Sequence, residues 1–156
     1  MLANLAFEQC VFDSADGIGG IIEVRRCRAG RIDGTIHLHH VRISDNQLSG
    51  AVGLLIPSAS CTAVEMIDVQ IRNNACIGRC GAVLSGQNTL ERIELEGNTQ
   101  TGSVEETPAI LYAPAESETD ARRITATNNE GAVILIDGGS LTVSNSTFSQ
   151  NSAELI

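Results

Sequence analysis

The sequence predicts an all-β fold, a right-handed parallel β-helix of about six rungs wound as a single-stranded solenoid, with residues 1–156 forming one domain. Three observations predict it. A motif of the form apolar-x-apolar-x-x-Asn recurs along the chain, a second apolar strand motif alternates with it, and the apolar residues are almost entirely aliphatic.

The first motif reads Val41, Ile43, Asn46; then Val69, Ile71, Asn74; then Ile93, Leu95, Asn98; then Ile124, Ala126, Asn129. Looser copies flank these four, at Cys10, Phe12, Ala15 and at Ser146, Phe148, Asn151. The second motif is a Gly or Pro followed by two small aliphatic residues: Gly20-Ile21-Ile22, Gly50-Ala51-Val52, Gly81-Ala82-Val83, Pro108-Ala109-Ile110 and Gly131-Ala132-Val133. The anchors Phe12, Ile43, Ile71, Leu95, Ala126 and Phe148 are 31, 28, 24, 31 and 22 residues apart, so loops of variable length interrupt a fixed strand pattern.

Within each motif the apolar residues alternate with period two, which is the strand period, whereas a helical solenoid shows i, i+3, i+4, i+7. The leucine ladder of leucine-rich repeats is absent. Wound into a coil, each strand pairs in parallel with its counterpart one turn away, about 4.8 Å distant, so six turns span on the order of 25 Å. Val41, Ile43, Val69, Ile71, Ile93 and Leu95 then stack inside, and an earlier strand gives Phe7, Leu38, Met66, Leu90 and Val143 a shared inward position. The column Asn46, Asn74, Asn98, Asn129, Asn151 falls where the chain turns. Asn tolerates left-handed backbone angles there, and its amides can ladder from rung to rung.

Composition excludes several classes. With 15 Gly, no Trp, one Tyr and three Phe, the core is Ile, Val, Leu and Ala. A formal net charge of −9 argues against nucleic acid, whose phosphates require clustered Lys and Arg. The longest apolar run, Ala132 to Ile136, is far short of the roughly 20 residues that cross a bilayer, so no direct membrane span is expected. Met1 to Gln9 lacks a basic start and an apolar stretch, so a secretion signal has been removed or the chain is a fragment.

The paired motifs resemble the repeats of the polymorphic outer membrane proteins, autotransported bacterial adhesins with Phe-x-x-Asn and Gly-Gly-Ala-(Ile, Leu or Val) repeats. Phe148-Ser149-Gln150-Asn151 matches the first in full; Ile43-Ser44-Asp45-Asn46, Ile71-Arg72-Asn73-Asn74 and Leu95-Glu96-Gly97-Asn98 match with an aliphatic residue for Phe. Gly81-Ala82-Val83 and Gly131-Ala132-Val133 match the second without its first Gly. The resemblance implies an extracellular or cell-surface adhesive β-helix.

The alternative is a pectin-lyase-like enzyme or saccharide-binding module, since such β-helices place ionisable residues on the outward face of one sheet. The outward rows here are Gln9, His40, Asp68, Arg92, Arg123, Asn145; Val11, Arg42, Gln70, Glu94, Thr125, Thr147; and Asp13, Ser44, Arg72, Glu96, Thr127, Ser149. Asp68 and Arg92, with His40 and Glu94 close by, are the catalytic candidates, a carboxylate pair with an anion clamp. The plainer reading pairs Asp68 with Arg92, and Arg72 with Glu96, as opposite charges on adjacent rungs. No polygalacturonase signature is present, and Tyr112 alone is available to stack on a sugar. A non-catalytic role is therefore expected.

His37 and His39 share a face at a spacing that suits a metal, but no further ligand converges clearly in the sequence, so both are expected to be solvated, with no metal and no cofactor. Five cysteines leave at least one unpaired; Cys76 and Cys80 bracket a short loop that a disulfide can clip, the alternatives being free thiols or part of a metal site. Cys10 reads as a small core residue. Asn145-Ser146-Thr147 fits the N-glycosylation rule. The polar insertions 99–107 and 115–120 are where a partner would be recognised. No capping helix is evident, and Ala153 to Ile156 begin another strand. The expected partners are therefore other subunits, or the rest of a longer chain, meeting an open end of the solenoid in a filament or larger assembly.

Overall fold

The computed structural model describes residues 2–3, 6–8, 11–23, 35–56, 63–78, 81–101 and 109–152. Among them the regular elements are all strands, and the strands pair in parallel with their counterparts a turn away. They stack as a parallel β-helix of about four full turns. Thr35, Ala63, Gln87, Glu118 and Ser140 occupy one register position, at intervals of 28, 24, 31 and 22 residues. Leu2–Ala3 and Ala6–Glu8 lie on the near side of the first turn, and Ser140–Ser144 and Thr147–Ser149 on the far side of the last. Counted along the first wall, this makes six stacked strands.

Each turn has three walls because the chain bends twice at a residue in the left-handed region. Thr35–His39 ends at His40, and Arg42–Ser44 ends at Asp45. The first corner stacks His40, Asp68, Arg92, Arg123 and Asn145, with φ between 50° and 57°. The second stacks Asp45, Asn73, Gly97, Asn128 and Gln150, with φ between 52° and 63°. A non-glycine residue in this region costs roughly 1–2 kcal/mol. Cross-turn backbone bonds hold the corners, His40 N–H donating to Ile67 O at 3.0 Å and Asn73 N–H to Glu96 O at 2.8 Å.

Alternation then fills the interior. Leu38, Met66, Leu90 and Ala121 form one column, Val41, Val69, Ile93 and Ile124 a second, and Ile43, Ile71, Leu95 and Ala126 a third, all at most 1% exposed. A fully buried aliphatic side chain contributes about 1.5–3 kcal/mol, so these stacks are the main favourable term. Val143 shares the Leu38 column yet is 36% exposed.

The Asn column is interior, and it works one residue away from where the sequence placed the strain. The left-handed residue is the one before each Asn, which leaves the amide pointing inward at 0–3% exposure for Asn46, Asn74, Asn98 and Asn129. Asn74 shows the pattern in full. Its Oδ1 accepts from the backbone N–H and the Nδ2 of Asn46, while its own Nδ2 donates to Ile43 O and to Asn98 Oδ1. Asn98 and Asn129 repeat these contacts, and Asn151 closes the series. All four bonding positions of each middle amide are filled, which is what makes a buried amide tolerable.

Two register expectations need correction. Phe7, not Phe12, lies opposite Ile43, and Phe12 lies opposite Leu48 on the third wall. The first copy is therefore five residues earlier than its motif suggests, and Ala6 and Glu8, not Val11 and Asp13, take the register positions opposite Arg42 and Ser44. Phe7–Phe12 and Leu38–Ile43 have the same five-residue spacing, so either alignment sets apolar on apolar. On the third wall, Ala109 lies opposite Ala132 as the motif predicts, but Ala82 lies opposite Leu111 and Leu55 opposite Ala82. The motif thus marks where a strand begins at Ala82, Ala109 and Ala132, but Gly50-Ala51-Val52 and Gly20-Ile21-Ile22 lie within longer strands, and register is not fixed by it, because the preceding loops differ in length.

The polar insertions also resolve differently. Thr99–Thr101 is a strand with Gln100 buried, and residues 102–107 lie outside the described residues. Residues 115–120 are a tight turn at Ala115 and Glu116 followed by the strand Glu118–Arg122, and are not a free loop.

Candidate functional site

The outward face of the first two walls gathers the ionisable residues. The catalytic candidates separate into two groups. Asp68 stands at the first corner, and Arg92, one turn on, grips both of its oxygens: Nε donates to Oδ1 at 2.5 Å and Nη2 to Oδ2 at 2.9 Å. His40 lies beyond, with Nδ1 3.5 Å from Asp68 Oδ2. Arg92 also meets Glu91, whose carboxylate lies 3.4 Å from Arg123 Nη1. Arg92 holds the Asp68 carboxyl below the usual carboxylate range, first through its hydrogen bonds and then through its charge.

Glu94 belongs to a different row. Its Oε1 is engaged by Arg72 Nη2, and its Oε2 accepts from Gln70 Nε2 at 3.1 Å. Gln70 in turn accepts from Arg42 Nε at 3.3 Å, and Arg72 Nε lies 3.4 Å from Glu96. Arg72 thus has Glu94 as its nearer partner and Glu96, expected from the sequence, as the longer contact. These side chains form cross-turn rows of alternating charge, with each carboxylate held by an Arg.

The second cluster is one the sequence reading missed. His37 and His39 project outward from Thr35–His39, and Glu65 is the register partner of His37 on the next turn. One carboxylate oxygen, Oε1 of Glu65, lies 2.8 Å from His37 Nδ1 and 2.7 Å from His39 Nε2. The two rings are nearly perpendicular, 87° apart, with centroids at 5.9 Å. The histidines are therefore not simply solvated. Their hydrogen bonds hold the Glu65 carboxyl below its usual range, His37 contributing most. The signal was present in the sequence: stacking Leu38 on Met66 sets His37 beside Glu65.

His37 and Glu65 sit on the wall of an open groove of about 800 Å³ that runs across several turns. Its other ionisable lining residues are Glu116, Glu118 and Asp120, all acidic. Asp120 is held by Arg122 through two bonds, the shorter 2.5 Å. At the groove's inner margin Asn88 is buried, its Oδ1 accepting from Val64 N–H and its Nδ2 donating to the carbonyls of Leu84 and Gly86 and to Thr119 Oγ1. Asn88 is structural, a second buried amide outside the motif column.

The remaining candidates are dispersed. Tyr112 is half-buried on the third wall and its hydroxyl donates to Asp137 Oδ2 at 3.0 Å. Asn145 is exposed at the first corner, and Ser146 of the same triplet takes its hydroxyl into the structure, accepting from Ile124 N–H and donating to Ser144 O. Cys76 is buried and disulfide-bonded, while Cys80 and Cys10 lie outside the described residues. No described helix is long and apolar enough to cross a membrane. No family model, curated protein or solved structure matches the chain.

Proposed function

We propose that the chain is a non-catalytic structural or adhesive β-helix module, a stiff segment of a larger extracellular or cell-surface assembly. One observation favours it over the pectin-lyase-like alternative: the carboxylates on which that chemistry would depend are engaged in separate pairs. Both oxygens of Asp68 are taken by Arg92, and Glu94 is held by Arg72 and Gln70. A general acid requires a carboxyl whose proton is retained, through burial or a like charge, near working pH. Asp68 is shifted the other way. Pairs of this kind across adjacent strands stiffen the outer face and each add little to stability.

The polar outer rows and the acidic balance suit a rod that stays soluble along its sides and meets partners at its strand edges. The resemblance of its repeats to those of autotransported adhesins points the same way. The test is an assay of the purified chain against polyuronic and neutral polysaccharides, beside Asp68→Asn. Neither protein is expected to exceed the background rate, and turnover that Asp68→Asn abolishes would overturn the reading.

A further inference from the structure

We propose that His37, His39 and Glu65 form a binding site for one divalent transition-metal ion of the zinc class, with two imidazole nitrogens and one carboxylate oxygen as ligands and a further position open to the groove. The three donor atoms already lie within 4.8 Å of one another, drawn from two adjacent turns. Nitrogen and oxygen ligands of this kind suit Zn²⁺ and its late first-row neighbours, whereas Mg²⁺ and Ca²⁺ favour oxygen alone. Three protein ligands with one open position is also the pattern of zinc sites that retain a water.

The two carboxylate contacts need little movement, and the two nitrogens, within 4.8 Å of each other, close toward the same tetrahedral separation. In a tetrahedral site with bonds of about 2.0–2.1 Å, neighbouring ligand atoms stand about 3.3 Å apart. The Glu65 oxygen is now 2.8 Å and 2.7 Å from the two nitrogens, so each contact opens by about half an ångström as the ion takes the place of the two bridging protons. The nitrogens that would bind the ion are those already aimed at the shared oxygen, Nδ1 of His37 and Nε2 of His39. The ligands stand on paired strands, where backbone pairing fixes their spacing better than a loop would. Glu116 and Glu118 along the same groove give it a negative field that concentrates cations near the open position.

The site is tested on the whole chain with Zn²⁺ alone, titrated against a chromophoric chelator at neutral pH. One saturable equivalent is expected, undisturbed by excess Mg²⁺. Glu65→Gln, His37→Ala and His39→Ala should each weaken binding at least about tenfold, since even outer-shell partners of a metal cost about 10–100-fold. His40→Ala, one residue outside the triad, should leave the affinity within about twofold. Because a substitution can disturb folding, X-ray absorption at the zinc edge of the unaltered chain supplies the second measurement. A first shell of nitrogen and oxygen at about 2.0–2.1 Å with imidazole scattering supports the site. Sulfur at about 2.3 Å would instead assign the ion to cysteine and overturn it. So would absence of saturation, or equal weakening in His40→Ala.

Discussion

Asn98 shows what a single side chain does in this molecule. Its Oδ1 accepts at 3.1 Å from the Asn74 backbone and at 2.9 Å from Asn74 Nδ2, and its Nδ2 donates to Ile71 O at 2.7 Å and to Asn129 Oδ1 at 3.0 Å. Asn98→Ala deletes all four bonds inside a column that water does not reach, and each buried polar group left without a partner costs roughly 1–3 kcal/mol. A loss on the order of 3 kcal/mol or more is expected from the urea unfolding midpoint. Asn151 makes three of the corresponding four bonds and is only half-buried, so water replaces part of what is lost and Asn151→Ala should cost about 1 kcal/mol. Equal losses at the two positions would mean that the ladder is not what makes the interior amides matter. The column itself was legible in the sequence from its spacing. Its mechanism was not, because the residue bearing the left-handed angle and the residue bearing the ladder are adjacent, and the preceding position varies between Asp45, Asn73, Gly97, Asn128 and Gln150.

At the scale of the strand and the corner, legibility followed how tightly the chain is held between anchors. On the first two walls at most two residues separate consecutive strand segments, so the alternation carried through and the columns from Leu38 to Ala121 and from Ile43 to Ala126 came out in register. Loops of differing length precede the third wall, and there the register slipped by an even number of residues at Ala82, which keeps apolar side chains facing inward and so leaves no trace in the pattern. The candidate site lies wholly on the legible first wall. Asp68 and Arg92 were readable as corner neighbours on adjacent turns, and His37 beside Glu65, also one turn apart, follows from the same Leu38–Met66 column although the row was not read that far. Gly131 marks the start of a third-wall strand, and close approach dictates its identity: at φ 99° an added Cβ would stand 2.9 Å from Gln100 Cβ and 3.0 Å from Gln100 O. Gly138, at φ 78°, would meet nothing nearer than 3.6 Å. Gly138→Ala should therefore cost only the backbone penalty, about 1–2 kcal/mol, while Gly131→Ala adds a clash with backbone and lowers stability further. Thermal unfolding of the two variants side by side checks this, and the order reverses if Gly131 is merely a flexible joint.

Across the whole molecule each turn touches its neighbours and little else, so stability behaves as a sum over turns and the interfaces between them. The interior turns have a partner above and below. Val64, Met66, Leu90 and Ile93 are at most 1% exposed, while Val143, in the same column as Met66 and Leu90, is 36% exposed and Phe148 is half-buried. Local opening then requires less apolar surface to be uncovered in the strands Ser140–Ser144 and Thr147–Ser149 than in Ala63–Arg72 or Gln87–Glu96. Native-state amide exchange of the monomeric chain should accordingly be slowest across the latter pair and should quicken by orders of magnitude across residues 140–149, since exchange reports the free energy of the smallest opening that frees each amide. The covalent chain does not by itself produce that gradient, because Ser140–Ser144 follows Ala132–Ile136 after a connection as short as those before Gln87–Glu96 and Glu118–Arg122; loss of stacking does. Uniform protection from residue 63 to residue 149 would show that the turns unfold as one unit and that nearest-neighbour stacking does not set their order. A rise in protection confined to residues 140–149 as concentration increases would identify that face as the one a further turn or second copy covers.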